Sequence, residues 1–348
     1  MAKQQQSSPQ QPSHTIVLIP GDGIGPEVTA AAKRVLEASG VRIEWVELPA
    51  GASAIDLGFD NVLPERTLAA VRAHKVALKG PVTTPVGKGF KSVNVQLRQK
   101  LNLYAAVRPV RSLPGIRTRY ENVDMVIVRE NTEGLYSGIE NEVVPGVVTS
   151  LKVASEVACS RIARYAFRYA TKRKRKKLTV FHKANIMKLT DGLFLSCARK
   201  VAEEDYPNIE YEEVIIDAGC MKLVQDPTKL DVLLMENLYG DLVSDLCAGL
   251  VGGLGVVPGS NIGDDAAVFE AVHGSAPDIA GKGVANPLAV IMSGVMMLNH
   301  IGETKPATKI RTAYDAVLAE AKPETLTRDL GGTATTEQFA DSVIGKMG

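Results

Sequence analysis

Thr15-Ile16-Val17-Leu18-Ile19 running into Pro20-Gly21-Asp22-Gly23-Ile24-Gly25-Pro26 decides the fold class of this chain. The five-residue run reads as a short buried strand stopped by a Pro-Gly turn, and the pattern changes to a helical period over 27–38. Alternation over 41–48 predicts another strand. A helix follows over 64–73, then the buried strand Val76-Ala77-Leu78, which ends at Gly80-Pro81. A βαβαβ rhythm of this kind makes an α/β fold with a largely parallel sheet, and ligands on such sheets gather at the carboxyl ends of the strands.

The glycine loop sits where a dinucleotide cradle would, after a strand and opening a helix, with Glu44 and Glu47 about 20 residues on. Its spacing is G-x-G-x-G, one residue short of the fingerprint, and Pro26 occupies the place of the third glycine. The loop therefore reads as a tight turn bordering a site, not as a Rossmann pyrophosphate cradle.

With 348 residues and a net charge of +1, the chain has room for two domains or one large α/β unit, and it carries no global field for nucleic acid or membrane. Its longest apolar runs, 246–257 and 288–298, fall short of the roughly 18 residues that span a bilayer, so a soluble protein is expected. Four scattered cysteines (Cys159, Cys197, Cys220, Cys247) form no C-x-x-C pair, which excludes a zinc or disulfide framework and points to core packing in a reducing cytoplasm. Residues 1–13 are Gln/Ser/Pro-rich, without the apolar core or arginines of a targeting peptide, and read as a disordered tail. The six basic residues 172–177, at the end of a helix expected over 152–169, read as a solvated turn complementing the helix dipole; nucleic-acid contact is the alternative.

Chemistry concentrates in a few places. Asp241 and Asp245 lie four apart in the helix-length apolar run 237–246 and so share one helix face. A divalent cation such as Mg²⁺ or Mn²⁺ would relieve their repulsion; a helix N-terminus with solvated carboxylates is the alternative. Asp217, expected at the end of a strand over 209–216, is a third candidate ligand. Strand ends also carry Thr83-Thr84-Pro85-Val86-Gly87 and Ser92-Val93-Asn94-Val95-Gln96-Leu97-Arg98, with Arg108 and Arg129 beyond. Buried arginines ask for anions, either a small polycarboxylate or local carboxylates. Tyr136, on a turn after the strand 124–129, could donate a proton or serve as an interface aromatic. Lys183, after the strand 178–181, would be a base if arginines and a metal lay near it, and otherwise a surface lysine. The glycine-rich loop around His273 can approach a flat ligand closely.

Six stretches in family order, IPGDGIGPE, SVNVQLR, RENTEGLYSGIE, FHKANIMK, NLYGDLVSDL and FEAVHGSAPDIAGKGVANP, carry a resemblance over nearly the whole chain. The chain resembles the metal-dependent β-decarboxylating dehydrogenases of isocitrate and 3-isopropylmalate, closest to the NAD type that acts on isocitrate. The resemblance implies mixed sheets in two domains, not a Rossmann fold: a large domain of 14–103 and 253–348, and a small domain of 104–252 with a clasp near 137–158. It implies that Ser92, Asn94, Arg98, Arg108 and Arg129 hold substrate carboxylates, that Asp217, Asp241 and Asp245 surround Mg²⁺ or Mn²⁺, and that Tyr136 and Lys183 are the acid–base pair. NAD would lie on His273, Gly274, Ser275, Ala276, Pro277, Asp278, Ile279 and Asn286.

It further implies a cytoplasmic homodimer working in the tricarboxylic acid cycle, whose sites borrow Lys183 and Asp217 from the partner subunit. Homoisocitrate and 3-isopropylmalate are the rival substrates, and a non-catalytic regulatory subunit is the rival role. The chain departs from the family pattern at Glu236 and at Ala218-Gly219-Cys220, beside the metal residues.

Overall fold

The strand–turn–helix at the start forms as β1 (His14–Ile19) and α1 (Gly25–Ala38), followed by β2 (Ile43–Glu47), α2 (Ala52–Asp56), α3 (Glu65–His74), β3 (Val76–Lys79) and α4 (Val93–Lys100). A computed structural model describes residues 14–84 and 91–348; the tail expected over 1–13, and Pro85, Val86 and Gly87, lie outside them. The middle of the chain gives β4 (Ala105–Arg111), β5 (Asp124–Glu130), β6 (Gly134–Val144), β7 (Val147–Val153), α5 (Glu156–Lys172), β8 (Lys177–His182), α6 (Thr190–Asp205), β9 (Glu210–Ile215), α7 (Ile216–Gln225), β10 (Val232–Met235) and α8 (Asn237–Leu250). The last part holds β11 (Pro258–Ile262), β12 (Ala267–Ala271), α9 (Leu288–His300), α10 (Thr304–Glu320) and α11 (Thr336–Gly345). Among the described residues no helix is long and apolar enough to cross a membrane.

Ten strands make one mixed sheet in the order β2-β1-β3-β12-β11-β4-β5-β10-β8-β9, and β6-β7 form a separate ribbon. The sheet consists of two parallel quartets, joined through the antiparallel pairs β12–β11, β11–β4 and β4–β5.

Register shows how this sheet makes clefts, because residues paired across strands point to the same face. Leu18, Leu78, Phe269, Ser260, Val107, Val128, Leu234 and Val180 pair in succession across the sheet and share one face. On that face the first quartet is covered by α1, α9, α10 and α11, and the second by α5 and α6. On the reverse face α3 and α4 cover the first quartet, while α7 and α8 cover the second. Different helix layers therefore meet over the central strands on both faces.

Two expectations are corrected here. The helix expected over 152–169 begins at Glu156, because Lys152 and Val153 belong to β7 and Ser155 caps the helix, its Oγ accepting from the Ala158 N–H. Glu133 receives the Ser155 N–H (2.8 Å) and hydroxyl (2.6 Å), which fixes the start. Tyr136 stands on strand β6, not on a turn.

Candidate active site

On the reverse face of the central strands, Arg108 of β4 and Arg129 at the end of β5 point into the gap between α4 and α8, and Arg98 of α4 joins them. All three are buried. Burial and the neighbouring guanidinium of Arg129 lower the Arg98 pKa to about 10, so Arg98 keeps its charge at neutral pH.

The stretch at 237–246 forms α8 and answers this charge. Asn237 Oδ1 accepts from Arg129 Nε (3.0 Å) and Nη2 (2.7 Å), and Asp241 accepts from Arg129 Nη1. Gly240 makes the approach possible, since a Cβ there would lie 2.5 Å from the Arg129 side chain. Arg108 lies 3.6 Å from Asp241 and 3.0 Å from Asp245. The two aspartates thus share the face their spacing predicts. Burial opposes the charge on Asp241, but Arg129, the Tyr136 hydroxyl and Arg108 hold its carboxyl below the ordinary range.

Tyr136 donates to Asp241 Oδ2 (2.5 Å), and the Arg129 guanidinium stacks 5.0 Å from its ring centroid. Burial and that acceptor raise the Tyr136 pKa, so the phenol stays protonated and available as an acid. Ser92 caps α4, accepting from Val95 N at 3.5 Å, and Asn94 keeps a buried Oδ1 that has no partner among the described residues.

Lys183 and Asp217 are not in this cluster. Asp217 lies in the first turn of α7, not at a strand end, and pairs with Lys183 Nζ at 2.7 Å. Among the described residues, no hydrogen bond or ion pair joins either of them to Tyr136, Asp241 or Asp245. Nor does any cluster of three acidic, His or Cys side chains form a metal cage among those residues. Asp241 and Asp245 nonetheless suit a hard divalent cation, being adjacent oxygen donors at the mouth of the cleft. Glu236, where the chain departs from the family pattern, caps α8 by accepting from Leu238 N (3.2 Å) and Tyr239 N (3.0 Å). The departure is thus a charged helix cap.

The glycine loop fastens the far side of the cleft. Asp22 accepts from the N–H groups of Ala52 (3.0 Å), Ser53 (2.8 Å) and Thr83 (2.6 Å). Ile24 N donates to Ser275 O (2.9 Å), and a Cβ on Gly23 would lie 2.0 Å from that oxygen. The loop therefore positions the 273–279 turn. In that turn His273 Nδ1 lies 3.0 Å from Gly274 O, buried Nε2 has no partner among the described residues, and burial lowers the ring's pKa. Gly274 is exposed and Ser275 bonds Thr83 Oγ1 (2.7 Å). Ala276 holds φ +39° ahead of the exposed turn Pro277–Ile279. Asn286 is held by its side chain, which donates to Asp329 (2.8 Å) and accepts from Leu288 N (2.9 Å).

Sequence reasoning missed a buried chain of polar groups along the cleft floor. Lys79 meets Glu270 at 2.6 Å, Asn261 Nδ2 donates to Glu270 (2.6 Å), and Asn131 Nδ2 donates to Asn261 (2.9 Å). The available signal was a single charge inside each of two buried strands, Lys79 and Glu270, which has to find a partner. Burial opposes the Glu270 charge, yet Lys79 and Arg98 hold its pKa down at about 2.

The unfolded value is roughly 4.3, so this carboxylate's stabilisation is complete above that pH and is lost as pH falls toward the folded value. Glu270→Leu is expected to cost about 3–5 kcal/mol by stranding Lys79, read as a drop in the urea midpoint. Adding Lys79→Met should recover part of the loss; a midpoint unchanged by Glu270→Leu would refute the pairing.

Comparison with known proteins follows this geometry closely. Residues 15–343 match the family model described as isocitrate/isopropylmalate dehydrogenase. Catalytic subunit 5 of the mitochondrial isocitrate dehydrogenase [NAD] of Arabidopsis thaliana is 54% identical over 330 residues, covering 94% of this chain and 87% of that one. A chloroplastic 3-isopropylmalate dehydrogenase of Solanum tuberosum is 53% identical over 306 residues, covering 88% and 85%. The crystal structure of isocitrate dehydrogenase from Methylococcus capsulatus superposes with a TM-score of 0.92 at 50% identity, covering 96% of this chain and 99% of that one.

The mitochondrial names of the NAD-type relatives overturn the expectation of a cytoplasmic protein. All four cysteines are free, but free thiols report a reducing compartment without saying which one.

Proposed function

Because the chain belongs to the isocitrate/isopropylmalate dehydrogenase family, we propose that it oxidises isocitrate with NAD and releases CO₂, yielding 2-oxoglutarate and NADH. Charge matching carries this reading. The three clustered arginines answer the three carboxylates of isocitrate, and the Asp241–Asp245 pair answers one divalent cation. 3-Isopropylmalate has only two carboxylates and would set an apolar branch against the polar Ser92 and Asn94. Steady-state assay on isocitrate, homoisocitrate and 3-isopropylmalate with each dinucleotide is the test. Isocitrate with NAD is expected to give the largest kcat/KM, and a larger value for 3-isopropylmalate overturns the assignment.

In this reading Arg98, Arg108, Arg129, Ser92 and Asn94 hold the carboxylates, presenting C2 to the cofactor. A nicotinamide held beside the 273–279 turn would take the C2 hydride, while Lys183 takes the hydroxyl proton, directly or through a relay. Asp241 and Asp245, with Asp217 of a second subunit, would hold a divalent cation, Mg²⁺ or Mn²⁺, which would supply Lewis acidity at the new carbonyl. The bond to the leaving carboxylate breaks, CO₂ departs, and Tyr136 protonates the resulting enol at carbon.

Tyr136→Phe is expected to slow conversion of supplied oxalosuccinate to 2-oxoglutarate by about a hundredfold, the scale of a lost general acid. Undiminished conversion would remove Tyr136 from that role.

Cofactor choice rests on Asp278. It stands exposed after the turn that begins at Ala276, where a carboxylate can accept a hydrogen bond from a free ribose 2′-hydroxyl and repels a 2′-phosphate. A bond to a charged group is worth roughly 1.5–3 kcal/mol, about one to two decades of affinity. NAD is therefore expected to lead NADP by at least tenfold (~1.4 kcal/mol) in kcat/KM. Asp278→Lys with Ile279→Tyr should move the ratio toward NADP, and a native preference for NADP would overturn the placement of the ribose.

Assembly completes the site. Ile186 and Leu189 beside Lys183, Met221 and Val224 of α7, Leu242 and Leu246 of α8, and the Val-rich ribbon are large apolar side chains exposed on one chain. Such a surface suits a partner, here a second copy of this chain or a related subunit, with the ribbon as the clasp near 137–158. The cleft then lies between a large domain of 14–103 and 253–348 and a small domain of 104–252, hinged where β11 meets β4. A regulatory, non-catalytic role is disfavoured because Tyr136, Lys183, Asp217, Asp241 and Asp245 are all present.

A further inference from the structure

The face of the central strands opposite the arginine cluster carries a second cleft, a groove of 1070 Å³. Its floor is made by Val107, Pro109 and Arg111 of β4 with Pro258, Ser260 and Ile262 of β11. One wall is the end of α5, and the other is formed by α9 and α10.

The basic run 172–177 divides here. Arg175 is spent on Asp124 (2.6 Å) and Asp231 (3.0 Å), and Lys177 on Glu210 (3.2 Å) and Glu212 (2.9 Å). Lys172, Arg173 and Lys174 instead line the groove with Arg168, and among the described residues none of these four has a carboxylate within ion-pair distance. Arg311 faces them from α10, sharing Asp315 with Arg111 at 3.9 Å and 2.6 Å. The lining carboxylates are already engaged, Asp124 by Arg175 and Asp264 by the Tyr104 hydroxyl (3.0 Å). The charge of Lys172 is felt on the opposite wall, where it adds to burial in lowering the pKa of His300.

A helix C-terminus offers about half an elementary charge, so the end of α5 cannot neutralise four full cations. We propose that this groove binds a small polyanion bearing a chain of two or more phosphate groups, held between the α5 wall and Arg311. The groove lies back to back with the catalytic cleft: β4 alternates, so Arg108 faces the arginine cluster while its neighbours Val107 and Pro109 face the groove. The binding itself does not depend on which substrate the front cleft takes.

The test is calorimetric titration of the full chain with inorganic tripolyphosphate in metal-free buffer, so that chelation plays no part. Arg168, Lys172, Arg173 and Lys174 are all exposed, so replacing them with alanine removes only the stacking of Arg168 and Arg173 on Tyr165 and Tyr169 and their complement to the helix end, and should lower the urea midpoint only slightly. Each charge-assisted hydrogen bond is worth about a decade of affinity, and the quadruple variant should bind at least about a hundredfold more weakly than wild type. The double variant Lys172→Ala/Lys174→Ala should show a smaller loss and serves if the quadruple variant fails to fold.

Repeating the titration with a nucleoside triphosphate separates two sources of the same chemistry. Tighter binding than tripolyphosphate identifies a nucleotide, equal binding identifies the bare chain, and either supports the site. Unchanged affinity in the folded variants overturns the proposal, as does binding that persists there but is abolished by Arg98→Met, which would place the anion in the front cleft.

Discussion

Asp241→Asn and Asp245→Asn are each expected to lower kcat by about three decades, because Lewis-acid stabilisation of a developing oxyanion is worth several kcal/mol and each decade is about 1.4 kcal/mol. The substitutions keep volume and remove charge. Asp245 gives the cleaner experiment, since its side chain is 53% exposed and its contact is the single ion pair to Arg108. Asp241 is tied to Arg129, Arg108 and Tyr136, so its variant should also lose about 1–3 kcal/mol of stability, the range for a buried partner left incompletely satisfied. Arg129 keeps its two bonds to Asn237, which limits that loss. Calorimetric titration with Mn²⁺ supplies a readout apart from turnover and should show weakened binding in both variants. Full activity of the wild-type chain in EDTA would sink the metal reading altogether.

The parts legible in the sequence were those where local pattern and burial agree. The run Thr15–Ile19 is apolar because β1 is covered on both faces, and the D-x-x-x-D spacing in 237–246 became a shared helix face because α8 begins at Asn237. The β6–β7 ribbon is not legible from local pattern, since Val143, Val144, Val147 and Val148 are all exposed and show no alternation. For the same reason the sequence places Tyr136 on a turn and extends the helical period of α5 back to Lys152. Lys79 and Glu270 were invisible as a pair. Each is an isolated charge in a short strand, and only the parallel register of β3 with β12 sets them side by side. Lys183 and Asp217 are grouped in the sequence only by the resemblance, because nothing in the local pattern at 183 or 217 shows that they pair at 2.7 Å.

That separation leads to the last expected result. Lys183→Met and Tyr136→Phe chains should each be nearly inactive alone, and mixing them under conditions of subunit exchange should restore activity. Lys183 and Asp217 satisfy each other at 2.7 Å, while Tyr136, Asp241 and the arginines form their own cluster, and in the proposed assembly the first pair arrives from a second chain. The exposed Ile186 and Leu189 next to Lys183, and Leu242 on the helix that carries Asp241, mark both groups as neighbours of a surface that a partner would cover. In a heterodimer, one site combines the native Tyr136 of the first chain with the native Lys183 of the second, while the other site lacks both. Random mixing of equal amounts makes half the dimers mixed, and only one of their two sites is whole, so about a quarter of wild-type activity should return. Isotope-labelled chains followed by native mass spectrometry would establish that exchange has occurred. Exchange without recovery would mean that each chain builds its site alone, and would also remove Asp217 from the metal.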